Sequence, residues 1–188
     1  PPPPATPKST VVKVVEDERG NDEIDRGVRV FSLAGTIYDT LGWTGKNQRF
    51  YSDEQVADVK GRLWYRIHLP SQVKNFSSSE PVTGWIASTS IDTEGNSTIL
   101  VNEDNTAVTI VEVVNDGGIG WNLRRTPEVP CSSPHSPTTC VSVWDNTDIP
   151  KQYRHVHAWN GTRFVRRDSK VIEGVTWHQI DLPKIYFK

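Results

Sequence analysis

The sequence predicts an all-β protein built as two small β-barrels in tandem, and three observations carry that expectation. The 188 residues run as short apolar–polar stretches separated by clusters of Gly, Pro, Asn, Asp and Ser, the texture of strands and turns. One strand-like phrase is written twice, WYRIHLP at Trp64–Pro70 and WHQIDLP at Trp177–Pro183. The parts before each copy also come in one order. Gly27 opens GVRVFSLAGTIYDTLGW and Gly120 opens GWNLRRTPEVPC, and in each case a long loop precedes the Trp-led strand.

Taken in order, residues 1–10 are a Pro-rich arm or linker, with a left-handed polyproline pattern in Pro4-x-x-Pro7. The first module is expected over residues 11–92, a linker over 93–106 and the second module over 107–188. In the first module, strands are predicted over 11–15, 28–32, 63–69 and 83–87, and another falls at 99–101 in the linker. In the second they fall at 107–114, 140–143, 155–158, 163–165 and 176–182. Only SDEQVADVKGRL, residues 52–63, reads as a helical turn, stopped by Gly61. Asn160-Gly161, between alternating residues in HVHAWNGTRFV, signals a two-residue hairpin. Strands this short with turns this frequent make barrels or sandwiches.

Within the repeated strand, side chains alternate faces. Tyr65, Ile67 and Leu69 point one way, as do His178, Ile180 and Leu182. Trp64, Arg66 and His68 point the other way, as do Trp177, Gln179 and Asp181. The Ile and Leu pairs are core candidates, each worth about 1.5–3 kcal/mol when buried.

Charge is nearly balanced, 21 basic against 23 acidic side chains. No strong field is available for polyphosphate or anionic lipid, so nucleic acid is not expected as a partner. The apolar runs are too short to span a bilayer, so no membrane insertion is expected. There is no Met, which suggests a processed or trimmed chain. Cys131 and Cys140 frame CSSPHSPTTC, a spacing that suits a disulfide in an oxidising compartment and not a zinc knuckle. Asn-x-Ser/Thr sequons at Asn75, Asn96 and Asn160 permit glycosylation in a secreted chain. An extracellular or cell-surface location is expected.

Chemical constellations are sparse. EDERGNDEID, residues 16–25, places six carboxylates around one Arg; Asp17, Asn21, Asp22 and Asp25 offer oxygens to calcium, but a solvated hairpin tip is the simpler reading. His155, His157 and His178 are candidate zinc ligands without a convincing fourth group. Cys131 beside His135 suggests a thiol nucleophile, against which Pro134, Pro137 and Cys140 favour the disulfide. Gly42–Asn47 has the wrong length for a phosphate loop, and no hydrolase or dinucleotide motif occurs. No catalytic residue, metal or cofactor is expected. Arg124, Arg125, Arg154, Arg163, Arg166 and Arg167 make the second module the more basic.

Three short motifs carry a family resemblance. GWNLRRTP at Gly120–Pro127 is similar to the Gly-x-Asn-x-Arg-x-x-Pro opening of bacterial SH3-like (SH3b) domains. WYRIHL resembles their Trp-Tyr-x-Val strand, and Gly84-Trp85-Ile86 their closing Gly-Trp-Val. The resemblance covers residues 11–92 and 107–188. The first copy departs at GVRVFS, which lacks the Asn and Pro. The second has IYFK where a closing Gly-Trp-Ile would begin, so it has no clear final strand of its own. The resemblance implies tandem SH3-like barrels and a cell-wall glycan or peptide as ligand. In that architecture a Trp near the start of this strand lines a groove, and TIYDT around Tyr38 resembles another groove phrase. Tyr38, Trp64, Arg66, Trp85 and Trp177 are therefore the candidate groove residues; the alternative is that the Trp rings cover a barrel end.

Three functions follow as expectations. The first is a non-catalytic extracellular protein binding a cell-envelope polymer or a protein partner. The second is a subunit of a filament or surface assembly, polymerising with itself through an arm that includes Pro1, Pro4, Pro7, Val11 and Val12. The third is a targeting fragment of a cell-wall hydrolase.

Overall fold

Valines and aromatics at pleat-compatible spacing dictate strands, and strands with turns account for the regular structure of the described residues. The protein is seen in a computed structural model, which describes residues 6–15, 28–70, 82–114, 121–122, 139–142, 157–172, 174–181 and 185–187. The chain is all-β, with no helix among the described residues. It divides into two compact units. The first comprises Pro1–His68, Thr83–Thr106 and Pro183–Lys188; the second comprises Leu69–Val82 and Ala107–Leu182.

The first unit is built on β1 (Thr6–Val14), β2 (Val28–Phe31), β3 (Thr40–Thr44), β4 (Arg49–Ala57), β5 (Leu63–Leu69), β6 (Val82–Ala87), the hairpin β7 (Thr89–Ile91) and β8 (Ser97–Ile99), and β9 (Val101–Glu103). The second contributes β10 (Thr109–Glu112), β11 (Trp121–Asn122), β12 (Thr139–Ser142), β13 (His157–Ala158), β14 (Arg163–Ile172) and β15 (Val175–Ile180). The last strand, β16 (Ile185–Phe187), returns to the first unit.

In the first unit, eight strands pair in the order β16-β3-β2-β6-β5-β4-β1-β9; β7 and β8 form a separate ribbon. Among the described residues none of the sheets closes into a barrel. Register fixes what each face carries. Val12 lies opposite Phe50, Ser52 opposite Ile67, and Val30 opposite Ile86. These residues, with Val14 and Val28, are wholly buried on one face. The other face carries Phe31 opposite Trp85 and Val56 opposite Trp64. They form a second apolar cluster with Ala87, against which Ala34 packs. The sheet is thus apolar on both faces, which the alternation in WYRIHLP did not suggest: Trp64 and His68 are as buried as Ile67.

β4 occupies the stretch where the sequence predicts a helical turn. It is held between β1 and β5, and such non-local pairing overrides a weak local preference. An irregularity at Asp53, between the pairs Ser52–Ile67 and Glu54–Arg66, breaks the period-two pattern that would have announced the strand.

In the second unit, four strands pair as β10-β14-β15-β12 and two as β11-β13. β12 runs parallel to β15, and β10–β14, β14–β15 and β11–β13 are antiparallel. Asn160-Gly161 does sit in a tight turn, closed by the Thr162 N–H donating to the Trp159 carbonyl at 3.0 Å, with Gly161 at φ +82°. Among the described residues its flanks do not pair with each other as a hairpin. β13 pairs with β11 and β14 with β10, because the Val113 backbone fills the space beside the turn and exchanges hydrogen bonds with Gly161 and Thr162.

Candidate functional site

The repeated Trp-led strands are the second strands of two antiparallel pairs, β4 with β5 and β14 with β15. Both indoles are buried, Trp64 at 0 % exposure and Trp177 at 2 %, and Trp85 is nearly so. A ring enclosed in this way presents no face to a ligand, so these three pack as covers over the sheets. Phe31 meets Trp64 edge-on, with centroids 5.5 Å apart at 74°.

Burying an indole requires a partner for its N–H, and the β4–β5 turn supplies one. The Asp58 carboxylate accepts from the backbone N–H groups of Lys60 (2.9 Å) and Arg62 (3.0 Å), from Arg62 Nε (2.9 Å) and from Trp64 Nε1 (3.1 Å). Gly61 takes φ +75°, which closes the turn. The Arg62 guanidinium lies 4.8 Å from the Trp64 ring centroid. Burial alone would raise the Asp58 pKa, but the hydrogen bonds from Trp64, Arg62 and Lys60 outweigh it and hold the group below its usual range. The sequence reading missed Asp58. The Asp-x-x-Gly-x spacing was the available signal, because it recurs at Asp92–Asn96 with the same backbone pattern. In the second unit, Trp177 Nε1 has no hydrogen-bond partner among the described residues.

Farther along the Trp64 face lies a polar cluster. Arg66 forks onto Asp53, Nε to Oδ1 at 2.8 Å and Nη2 to Oδ2 at 2.9 Å, and also reaches Glu54 at 3.0 Å. His68 Nε2 lies 2.9 Å from Asp53 Oδ2, and its ring stands edge-on to Tyr51, centroids 4.9 Å apart. Burial would raise the Asp53 pKa, yet the hydrogen bonds and charges of His68 and Arg66 drive it well below the carboxylate range. Arg66, a candidate groove residue, is thus committed to an ion-pair network across β4 and β5. On the opposite face, burial and the nearby Glu103 carboxylate push the Tyr65 hydroxyl up to about 12; Lys8 pairs with the same Glu103.

Of the candidate groove residues, Tyr38 alone sits on a loop. Residues 32–39 join β2 to β3 and are closed at their base by the Ser32 N–H donating to the Asp39 carbonyl at 2.9 Å. Tyr38 crosses Gly35 so closely that a Cβ there would stand 3.0 Å from its ring. Ala34 anchors the loop to the Trp64–Trp85 cluster, while Leu33 and Ile37 point outward at 49 % and 88 % exposure. Sequence reasoning did not single out these two side chains; Ile37 entered only as part of the TIYDT phrase around Tyr38.

Asn96 is exposed in the β7–β8 turn and Asn160 is half-buried. Val11 and Val12 are buried within β1, between β4 and β9. Cys131, Asn75, Pro1, Pro4, His135, His155 and the acidic run 16–25 lie outside the described residues, and Pro7, Cys140 and His157 are described by backbone alone. Burial, and secondarily Arg166, lowers the His178 pKa. Among the described residues no group of three His, Cys, Asp or Glu side chains is arranged to hold a metal ion, and no helix is long and apolar enough to cross a membrane. No family model, no curated protein and no solved structure matches the chain.

Proposed function

We propose that this chain is a non-catalytic extracellular binding protein, in which two SH3-like β-modules engage a cell-envelope polymer or a protein partner. What supports the reading is the loop of residues 32–39. Leu33 and Ile37 face solvent from a segment braced underneath by Ala34 and the Trp64–Trp85 cluster. An apolar tip on a rigid base costs little ordering entropy when a partner covers it. The tryptophans serve the site as its foundation. The test is retention on purified cell wall at low salt, comparing the native chain with Leu33→Ser/Ile37→Ser. Retention lost in the double variant, with an unchanged circular dichroism spectrum, supports the reading; a native chain that washes through overturns it.

A second reading, self-assembly, has one observation in its favour. β1 is an inner strand that bridges β4 and β9, and among the described residues β9 has no other neighbour in that sheet. A strand of that kind can be supplied by a neighbouring copy. Deleting residues 1–15 should then leave soluble monomers; polymers that persist after the deletion exclude this route.

A further inference from the structure

The two sequons within the described residues sit in contrasting surroundings. Every residue from Ile91 to Ile99 is exposed, so Asn96, Ser97 and Thr98 are all open to solvent at the tip of the β7–β8 ribbon. Asn160 is half-buried, and the hydroxyl-bearing residue of its sequon, Thr162, is 0 % exposed with a buried Oγ1. Its backbone is tied to Trp159 and Val113. An enzyme that modifies a sequon must reach both the Asn amide and the hydroxyl two residues on. The folded tip at Asn96 offers both together, and the tip at Asn160 does not.

We infer that Asn96 is an acceptor for an N-linked oligosaccharide and that Asn160 is not. The donor is an oligosaccharide carried on a polyprenyl pyrophosphate. Asn96 Nδ2 forms a bond to the anomeric carbon, the bond from that carbon to the pyrophosphate oxygen breaks, and the lipid pyrophosphate leaves as the amide gives up one proton. The turn tolerates this loss. Of the two Nδ2 hydrogen bonds, one to Asp92 Oδ2 is 2.9 Å and one to Glu94 Oε2 is 3.5 Å, so transfer replaces one hydrogen and leaves the other. The backbone of the turn does not depend on the amide at all: Asp92 Oδ1 accepts from the Glu94 and Asn96 N–H groups, and Gly95 takes φ +88°. In the native cell the inference rests on the extracellular reading above.

The experiment expresses the full chain with a secretion signal in cultured eukaryotic cells and measures intact mass, with and without peptide N-glycosidase, in the secreted and luminal pools together. Asn75→Gln, Asn96→Gln and Asn160→Gln are compared singly. The expected result is loss of one glycan mass in Asn96→Gln, retention of it in Thr98→Ser, and no change in Asn160→Gln. An unchanged mass in Asn96→Gln, or a glycan lost in Asn160→Gln, overturns the inference. Location is read separately by fractionating the native source: a cytosolic chain sinks the extracellular reading and leaves the acceptor result standing.

Discussion

Replacing Asp58 by Ala removes the acceptor for four donors at once, but they do not suffer equally. The Lys60 and Arg62 amides and the Arg62 guanidinium lie at a turn where water can replace the carboxylate. Trp64 Nε1 belongs to a side chain with no exposed surface; stranding such a donor costs about 1–3 kcal/mol, and a lost hydrogen bond to a charged group about 1.5–3. With the overlap between these costs removed, Asp58→Ala should destabilise the first unit by about 2–4 kcal/mol. Asp92→Ala is the internal control, since Asp92 makes the same turn bonds from an exposed position with no indole attached; its loss should be clearly the smaller of the two, because water takes over the freed turn donors. Urea denaturation followed by circular dichroism measures both. A cycle with Trp64→Phe isolates the indole bond, which should appear as a coupling of about 1 kcal/mol or more. The sign with pH follows from the lowered pKa. The unfolded chain binds the proton more tightly, so the stability that Asp58 supplies is complete above its ordinary value of 3.8 and fades as pH falls below it. If the two Ala variants lose similar, small amounts of stability, the argument from the buried indole is wrong.

Asp53→Asn should cost about 1–3 kcal/mol near neutral pH by weakening the Arg66 and His68 contacts; because the folded Asp53 pKa is depressed, the variant should also blunt the native chain's loss of stability below its ordinary 3.8, as urea midpoints across an acid series would reveal. Tyr65 is held protonated, so the stability it supplies is complete below its ordinary value of 10.0 and fades as pH climbs towards about 12; ultraviolet titration of tyrosinate should show one late phase that moves to lower pH in Glu103→Gln. Gly35→Ala sets a Cβ 3.0 Å from the Tyr38 ring at a backbone φ of +148°, so it should cost about 1 kcal/mol or more and raise amide exchange in residues 32–39 measured by mass spectrometry; unchanged exchange would show that the loop is not braced by this contact.

Several strands were legible because their residues advertise them. The β-branched and aromatic content of Val28–Phe31 and Leu63–Leu69 placed β2 and β5 to within a residue. β4 was hidden, since the irregularity at Asp53 interrupts its alternation and its charged middle resembles a helix surface. β3 and β16 are short, and their pairing with each other spans most of the sequence, which no local pattern records. The site was legible only in part. Sequence identified the tryptophans and Tyr38, but a Trp in a strand reads the same whether its ring is covered or open. Burial on both faces of the sheet decides that, and it depends on Phe31, Val56 and Ala87 arriving from three other strands. Leu33 and Ile37 were not singled out, because an apolar side chain in a loop carries no local sign of whether it faces solvent or packs underneath.

The position of β16 has a consequence for synthesis on the ribosome. Residues 185–187 pair with Thr44, Trp43 and Gly42 in the first unit, although the second unit occupies 107–182 of the intervening chain. As the polypeptide emerges, the β3 edge that β16 covers must wait until the whole of the second unit has been made. The first unit therefore depends on a strand made after the second, and loss of residues 185–187 should harm the earlier-made unit first.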